Sequence, residues 1–262
     1  MENENLYAER MNPDVINLDI EYRSFFERHV AVYEFTKKFI NSQDTVLDNG
    51  CGIGYGTFSL SPFVSKIIGI DISEEAIYKS KQKYQHKNLC FEIMDSQNLK
   101  FSNDSFDLIC SFQVIEHIKE LNLYLNEMKR VIKQNKTIII STPNKYTFSL
   151  QEDVGNPFHI KEFYPEELQK IFLKYFSNVE LYGLFGKNVF IDEYFQNKEG
   201  SSLFCKDKLK LRKIISSSIK QKILKLIKFW TEKKMSKIKS SNFIIKKENL
   251  DKCLDIIAII KK

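Results

Sequence analysis

The sequence predicts an α/β fold in which a doubly wound, mostly parallel sheet is covered by helices on both faces. Short apolar stretches alternate along the chain with helix-like stretches, and polar residues directly follow several of the apolar ones. This alternation requires crossover connections, which make the strands parallel and leave ligand sites outside their carboxyl ends. At 262 residues, with 43% hydrophobic and 28% charged residues, the chain is globular rather than disordered.

The core elements follow in order from these patterns. Five short apolar stretches predict buried strands, at residues 45–48, 66–71, 89–94, 106–112 and 136–141. Between them, residues 74–84 predict a helix that begins after Ser73 as N-cap and carries acidic residues in its first turn. Residues 121–132 predict a second helix.

The first strand leads into a turn with alternating glycines, within the sequence VLDNGCGIGYGTF at residues 46–58. The spacing does not fit the G-x-G-x-x-G fingerprint of dinucleotide-binding proteins, because Tyr55 or Thr57 stands where the third glycine must pack. Glycines exclude side chains from the turn, so a small polar cofactor can lie against bare backbone there. Asp48 places an acid at the end of this strand.

Polar residues also end the next strands. Asp71 follows the glycines by about twenty residues, where an acid can bind both hydroxyls of a ribose. Asp95, followed by Ser96 and Gln97, ends the third strand, where a carboxylate or amide can accept from an adenine amino group. The fourth strand ends in SFQVIEHI, residues 111–118. Because these ends share one crevice, the sequence predicts a binding site for an adenine nucleoside.

The sequences VLDNGCGIG, IIGIDIS, DSQNLKFSNDSFDLICSFQVIEHI and IIISTPN together resemble the successive motifs of class I S-adenosylmethionine-dependent methyltransferases, over about residues 40–182. The resemblance implies a Rossmann-like, doubly wound, seven-stranded sheet whose last strand is antiparallel. It also implies that S-adenosylmethionine is the cofactor. The residues implied to bind it are Asp48, Gly50, Gly52, Gly54, Asp71, Ile72, Asp95, Ser96 and Gln113.

The same resemblance suggests a domain organisation. Residues 1–44 are expected to form a helical lid, residues 45–185 the cofactor-binding core, residues 186–249 a lysine-rich helical insertion, and residues 250–262 the final strand. The sixth strand is expected at residues 178–184, after a helix that begins at Pro165.

The predicted insertion is strongly basic. Residues 206–239 carry twelve lysines and one arginine against Asp207 and Glu232, a net charge of +11 in a chain of net charge +6. Isoleucines and leucines recur there at helical spacing. Three interpretations stay open: a solvated lysine face whose apolar stripe packs on the domain, a helix on an anionic membrane surface, or a site for a polyanionic acceptor such as RNA.

Several features predict a cytoplasmic protein, peripheral at the inner membrane surface if the basic helix binds lipid. The first residues are acidic and lack the order of a signal peptide. Apolar runs are shorter than the ~18 residues of a membrane span. The five cysteines are scattered without a C-x-x-C pair, as is typical of a reducing compartment.

Candidate catalytic residues follow the fourth strand and precede Pro165. They are Glu116, His117 and His159, of which histidine is the usual base near neutral pH. Gln113, Glu116 and His117 share one face if this stretch is helical. This pattern is similar to the E-x-x-E-H motif of metal-assisted O-methyltransferases, which implies that Glu116, His117 and His159 hold a divalent metal such as Mg²⁺. Gln113 replaces the first glutamate, and a metal-free role is the alternative.

A second resemblance concerns the acceptor. ERHVAVYEF at residues 27–35, with NPFHIKEFYPEEL at residues 156–168, is similar to bacterial methyltransferases found with glycosyltransferases. It implies a sugar hydroxyl in a glycan or glycolipid precursor, although His29 and Tyr33 could serve only to pack the lid. The alternatives are a quinol or small metabolite, RNA, and a regulatory protein that binds the cofactor without turnover.

Overall fold

The computed structural model describes residues 11–15, 20–148, 159–187 and 237–262. The strands are β1 Thr45–Asn49, β2 Lys66–Asp71, β3 Leu89–Ile93, β4 Phe106–Phe112, β5 Ile132–Pro143, β6 Asn178–Gly186, β7 Phe243–Lys246 and β8 Asp255–Lys261. The α-helices are α1 Ile20–Thr36, α2 Tyr55–Leu60, α3 Glu74–Lys83, α4 Leu121–Val131, α5 Lys145–Phe148 and α6 Pro165–Phe172. They form the predicted α/β fold.

All eight strands belong to one mixed sheet, in the order β3-β2-β1-β4-β5-β8-β6-β7. The first five strands of this order are parallel. Strand β8 lies between β5 and β6 and is antiparallel to both, which confirms the predicted direction of the final strand. Because parallel strands need crossover connections, the helices between them cover the sheet.

The sheet has one strand more than the predicted seven. Strand β7 pairs antiparallel with β6 at the sheet edge, with Ile244 opposite Phe185. It lies inside residues 186–249, which the sequence assigned to a helical insertion. The short apolar stretch Phe243–Lys246 buries Phe243 and exposes Ile244, an alternation typical of a strand. The helical spacing of the preceding lysine-rich stretch concealed this local signal.

Most of the predicted basic helix, residues 206–239, falls in the stretch 188–236, which lies outside the described residues. Its fold and its membrane contact therefore stay predictions. Within the described ranges, no helix combines the length and the apolar character needed to cross a membrane.

The helix signals of the sequence are local and correct. Ser73 caps α3, and its Oγ accepts a hydrogen bond from the amide of Ala76 at 3.2 Å. Pro165 stands in the first turn of α6, where it lacks only an amide that has no intrahelical partner. Helix α4 buries the stripe that contains Tyr124 and Met128 against the sheet. Burial on both faces makes β1 and β4 the centre of the core.

A buried ion pair joins helix α1 to strand β8. Arg28 Nε donates to Asp255 Oδ2 at 3.0 Å, and the guanidinium also contacts Asp255 Oδ1. The exposed fraction of each side chain is 4% or less. The guanidinium additionally donates to the carbonyl of Leu254 at 3.3 Å. The pair therefore fixes the amino-terminal helix to the last strand of the sheet.

We expect Arg28→Met to lower the free energy of unfolding by about 3–5 kcal/mol, because Asp255 would remain as an uncompensated buried charge. Arg28→Met combined with Asp255→Asn should lose less, since the charge is then removed. Lys79→Met, which breaks the exposed ion pair with Glu75, should cost under about 1 kcal/mol. Urea denaturation measures all three, and an equal loss in the single and double variants would contradict this account.

Candidate active site

A cleft of about 400 Å³ lies at the carboxyl ends of β1, β2, β3 and β4. The residues that line it and that the sequence predicts as cofactor contacts are Gly50, Gly52, Asp71, Ile72, Asp95, Ser96 and Gln113. Asp48 and Gly54 are not part of the described lining. The predicted lid contributes His29 and Tyr33. The size is in the range of small-molecule sites.

The three glycines of the turn after β1 all have a positive φ, of +84° at Gly50, +54° at Gly52 and +81° at Gly54. A Cβ at Gly50 would lie 2.3 Å from Val114 Cγ2, and one at Gly54 would lie 2.5 Å from the ring of Phe91. A Cβ at Gly52 would meet no protein atom within 4 Å. Packing therefore requires Gly50 and Gly54, whereas Gly52 leaves bare backbone on the cleft wall, which fits a closely apposed cofactor.

Asp71 links this turn to the end of β2. Its Oδ2 accepts from the amide of Gly52 at 3.0 Å, and its Oδ1 accepts from the amide of Ser73 at 2.9 Å. A carboxylate has about four lone-pair directions, so each oxygen can also accept from a ribose hydroxyl. The amides of Gly50 and Cys51 both donate to the carbonyl of Ile70 at 2.8 Å. The turn and the acid are thus held as one unit.

The far end of the cleft carries the polar group after β3. Asp95 Oδ1 accepts from the backbone amide of Gln97 at 2.8 Å and from its side-chain amide at 3.3 Å. Gln97 Oε1 in turn accepts from the amide of Glu120 at 3.2 Å. With Ser96 on the same wall, this network presents a fixed polar edge that could bind the edge of an adenine ring.

Gln113 follows β4 with a φ of +55°, which is uncommon for a residue other than glycine. Its amide donates to the carbonyl of Ser141 at 2.9 Å, which holds this conformation. Its side-chain amide lies 3.5 Å from Ser141 Oγ. The turn places Gln113 on the cleft wall between the glycine turn and His117.

Asp48 lies behind the cleft wall and is fully buried. It accepts from Thr57 Oγ1 at 2.6 Å, from Tyr33 OH at 3.1 Å and from Cys110 Sγ at 3.4 Å. Burial raises the pKa of Asp48 to about 6, although the hydrogen bonds from Thr57, Cys110 and Tyr33 oppose this effect. Tyr33, rather than Asp48, lines the cleft, so direct contact between Asp48 and a cofactor stays a prediction.

The raised pKa of Asp48 predicts a pH-dependent stability. The folded protein binds the proton more tightly than the unfolded chain, so the cost of ionisation is fully present above pH 6 and disappears as the pH falls towards the ordinary value of 3.8. A rise from 3.8 to about 6 corresponds to roughly 3 kcal/mol at neutral pH.

We therefore expect the unfolding free energy of the unsubstituted protein to increase relative to that of Asp48→Asn as the pH is lowered from about 7.5 to about 5. Asparagine does not titrate, so the variant should lack this contribution. Chemical denaturation at each pH gives the comparison. Parallel pH profiles for the two proteins would show that folding does not raise the pKa of Asp48.

Glu116, His117 and His159 come together beside the cleft. Glu116 and His117 lie in a 3-10 turn, Ile115–His117, and the carbonyl of Glu116 accepts from the amides of Ile160 at 2.8 Å and Lys161 at 3.1 Å. These two bonds bring His159 to His117, with ring centroids 5.0 Å apart. One ligand atom from each of the three residues lies within 4.8 Å of the others. Their geometry is compatible with holding a divalent ion.

The environment orients each member of this trio. Glu116 is buried, and its Oε2 accepts from Thr142 Oγ1 at 2.9 Å. His159 Nδ1 lies 3.1 Å from Glu162 Oε1. This contact orients the ring and leaves Nε2 as the nitrogen that does not contact Glu162. Of the three, only His117 is part of the described cleft lining. The trio therefore adjoins the cleft through His117.

Residues that the sequence does not indicate as part of the site also contribute to the cleft. Met11, Tyr55 and Ile118 also line it. Gly56 continues the alternation of glycines in the sequence. A side chain is excluded at this position, because a Cβ there would lie 1.9 Å from Tyr33 Cζ. That fourth glycine was a usable signal. Burial lowers the pKa of His29 to about 4, so the ring, whose Nδ1 is 3.2 Å from Tyr55 OH, is neutral at pH 7.

Two features of the structure indicate the class of protein. A cleft lies at the tips of four parallel strands, and the last strand of the chain joins the same sheet in the antiparallel direction. A family model described as a methyltransferase domain matches residues 40–183. The chain belongs to this family.

Individual relatives agree. A Mycobacterium tuberculosis protein named "Probable S-adenosylmethionine-dependent methyltransferase" is 34% identical over 184 residues, which cover 69% of this chain and 64% of the relative. The chain thus spans less than two thirds of that relative. The mitochondrial ubiquinone biosynthesis O-methyltransferase of Dictyostelium discoideum is 33% identical over 113 residues, 38% of this chain and 35% of the relative.

A solved structure supports the fold alone. The S-adenosylmethionine-dependent methyltransferase of Thermotoga maritima superposes with a TM-score of 0.58 at 16% identity, covering 92% of this chain and 94% of that structure.

Proposed function

We propose that this protein transfers a methyl group from S-adenosylmethionine to a hydroxyl group, with a sugar of a glycan or glycolipid precursor as the acceptor. One arrangement carries the proposal: the cleft has bare backbone at Gly52, the carboxylates of Asp71 and Asp95 on its wall, and the trio Glu116, His117 and His159 beside it, joined through His117. The first two features fit the cofactor, and the third fits an acceptor that must lose a proton.

The bound cofactor would supply a methyl group on a positively charged sulfur, which is a good leaving group. The protein then contributes mainly alignment and exclusion of water. Asp71 would accept from the ribose hydroxyls, Asp95 and Ser96 would bind the adenine edge, and Gln113 would lie beside the reacting end. Ile72, exposed at 66%, would cover the nucleoside.

A hydroxyl acceptor explains why two imidazoles and a carboxylate meet at the end of the cleft. As the acceptor oxygen bonds to the methyl carbon, its proton must leave, and an imidazole of His117 or His159 is suited to take it. Alternatively, a divalent ion held by Glu116, His117 and His159 would orient the hydroxyl and lower its pKa. The ligand atoms of the trio lie within 4.8 Å of one another, which is compatible with the second possibility.

The sugar acceptor is proposed from the resemblance of residues 27–35 and 156–168 to methyltransferases found with glycosyltransferases. Such acceptors are often carried on a lipid and therefore lie at a membrane. Residues 206–239, with a net charge of +11, would bind the anionic surface of that membrane. A contact of this kind would keep a cytoplasmic protein at the membrane face. RNA, a polyanion, remains the other use of that charge.

A quinol is the second candidate acceptor. The Dictyostelium discoideum relative is named as a ubiquinone biosynthesis O-methyltransferase. The E-H pair at Glu116 and His117 is similar to the end of the E-x-x-E-H motif of metal-assisted O-methyltransferases. A regulatory protein that binds the cofactor without turnover is the alternative outside enzymes. The preserved trio argues against it, because binding alone needs neither a base nor a metal.

The function is tested by transfer of label from [methyl-³H]-S-adenosylmethionine into glycolipid extract, into small quinols and into RNA. We expect label in the glycolipid fraction. Asp71→Ala should weaken cofactor binding by roughly tenfold or more, because the ribose loses a charged acceptor. Asp104→Ala, which removes an exposed acid paired with Lys262, is the control and should bind normally. Label in quinols or RNA only would reassign the acceptor, and binding without transfer would favour the regulatory role.

The metal is tested separately. If the trio holds an ion, excess EDTA should abolish transfer, Mg²⁺ should restore it, and Mn²⁺ should bind with a calorimetric stoichiometry of one. His159→Ala should lose Mn²⁺ binding, and Glu162→Gln should weaken it by about 10- to 100-fold through the orientation of His159. His86→Ala removes an exposed histidine elsewhere and should change neither measurement. Transfer that persists in EDTA would assign His117 or His159 as a metal-free base.

A further inference from the structure

Tyr33 lines the cleft, and its hydroxyl is bonded to the buried carboxylate of Asp48. Tyr33 belongs to helix α1 and lines the cleft, whereas Asp48 ends in the layer behind it. The Tyr33 oxygen is 3.1 Å from Asp48 Oδ2 and 3.3 Å from Oδ1. Tyr33 is therefore the wall residue through which Asp48 can act on a bound molecule.

The chemistry of this contact fixes the direction of the hydrogen bonds. An ionised carboxylate only accepts, so the single proton of the Tyr33 hydroxyl is donated to Asp48. The lone pairs of the tyrosine oxygen are then left to accept, and the negative charge behind them strengthens that tendency. A group that donates hydrogen bonds and carries positive charge is the matching ligand.

Packing holds the ring of Tyr33 in this position. Its face lies against the backbone of Gly56, where a Cβ would be 1.9 Å from Cζ. The rings of Phe112 and Tyr55 pack against it in edge-to-face geometry, with ring centroids 4.8 Å and 5.9 Å from that of Tyr33. With its ring restrained on three sides, Tyr33 presents a preorganised acceptor rather than a mobile side chain.

The charges around the cleft favour a cation at this end. None of the residues in the described cleft lining is a lysine or an arginine. His29 is neutral at pH 7 because burial lowers its pKa to about 4. The ionisable acids on the wall, Asp71 and Asp95, lie at the tips of β2 and β3, on the other side of the glycine turn. Asp48, acting through Tyr33, therefore supplies the negative charge on the α1 side.

We propose that Tyr33 is a positioning residue that binds the α-ammonium group of the cofactor's methionine part and transmits to it the charge of Asp48. This proposal rests on the proposed function, because it assumes the methionyl nucleoside as ligand. It assigns recognition of the ammonium to a residue of the amino-terminal helix rather than to direct contact with the acid after β1. Gly56 is required near the start of α2 because it admits the tyrosine ring.

The test compares two ligands that differ only in this group: S-adenosylhomocysteine, and its analogue with hydrogen in place of the α-amino group. Both are titrated calorimetrically into the unsubstituted protein, Tyr33→Phe and Asp48→Asn. Tyr33→Phe should weaken S-adenosylhomocysteine by roughly tenfold, the usual effect of losing a hydrogen bond to a charged group. It should leave the deamino analogue within about twofold. Asp48→Asn should show the same selectivity, because it removes the charge.

Tyr55→Phe is the matched control, since it removes a hydroxyl that lines the same cleft but bonds His29 instead of Asp48. It should leave the ratio of the two dissociation constants unchanged. Equal weakening of both ligands by Tyr33→Phe, or weakening of neither, would overturn the proposal while leaving cofactor binding intact. If the unsubstituted protein binds neither ligand, the proposed function itself fails. Thermal melting confirms that each variant is folded.

Discussion

The hydrogen bonds between the glycine turn and the end of β2 are the constraint on which the site depends. Two consecutive amides share the carbonyl of Ile70, and the next amide donates to Asp71. These bonds are possible only because the backbone at Gly50, Gly52 and Gly54 adopts positive φ values that other residues rarely adopt. The same bonds fix the acid on the cleft wall. The conformation of the glycine turn and the position of the Asp71 carboxylate therefore depend on each other.

A second constraint acts from the opposite side of the cleft. Helix α1 is anchored by the buried contact of Arg28 with Asp255, and one turn later it places Tyr33 over the backbone of Gly56. The amino-terminal helix thus behaves as part of the cleft wall. This helix falls within residues 1–44, where a lid is predicted, and a buried charge pair fastens it to the sheet.

Much of the sheet could be predicted from the sequence because its signals are local. The apolar stretches around Ile68 and Ile109, the cap at Ser73 and Pro165 of α6 each determine their own element. The trio of Glu116, His117 and His159 could be foreseen only by resemblance, because 42 residues lie between its ends and the backbone bonds to Glu116 that join them have no sequence signature.

Other features depend on tertiary context that no local pattern encodes. The position of Asp48 behind Tyr33 follows from how α1 packs, and the pairing of β7 with β6 from where the chain returns after the lysine-rich stretch. Asn49 is buried, and neither polar atom of its amide has a hydrogen-bond partner among the described residues. Asn49 is absent from the described cleft lining, and we find no physical reason for a buried amide there.

The position of β8 has a consequence for the order in which the molecule can assemble. Among the described strands, β6 is joined to the parallel half of the sheet through β8, which follows the other described strands in the chain. Until β8 emerges, β5 and β6 both expose unpaired edges, and such edges readily pair with other chains. Arg28, which is made long before β8, also waits for its partner carboxylate. The nascent protein therefore depends on its final strand to close the sheet, which makes the interval before closure its most aggregation-prone stage.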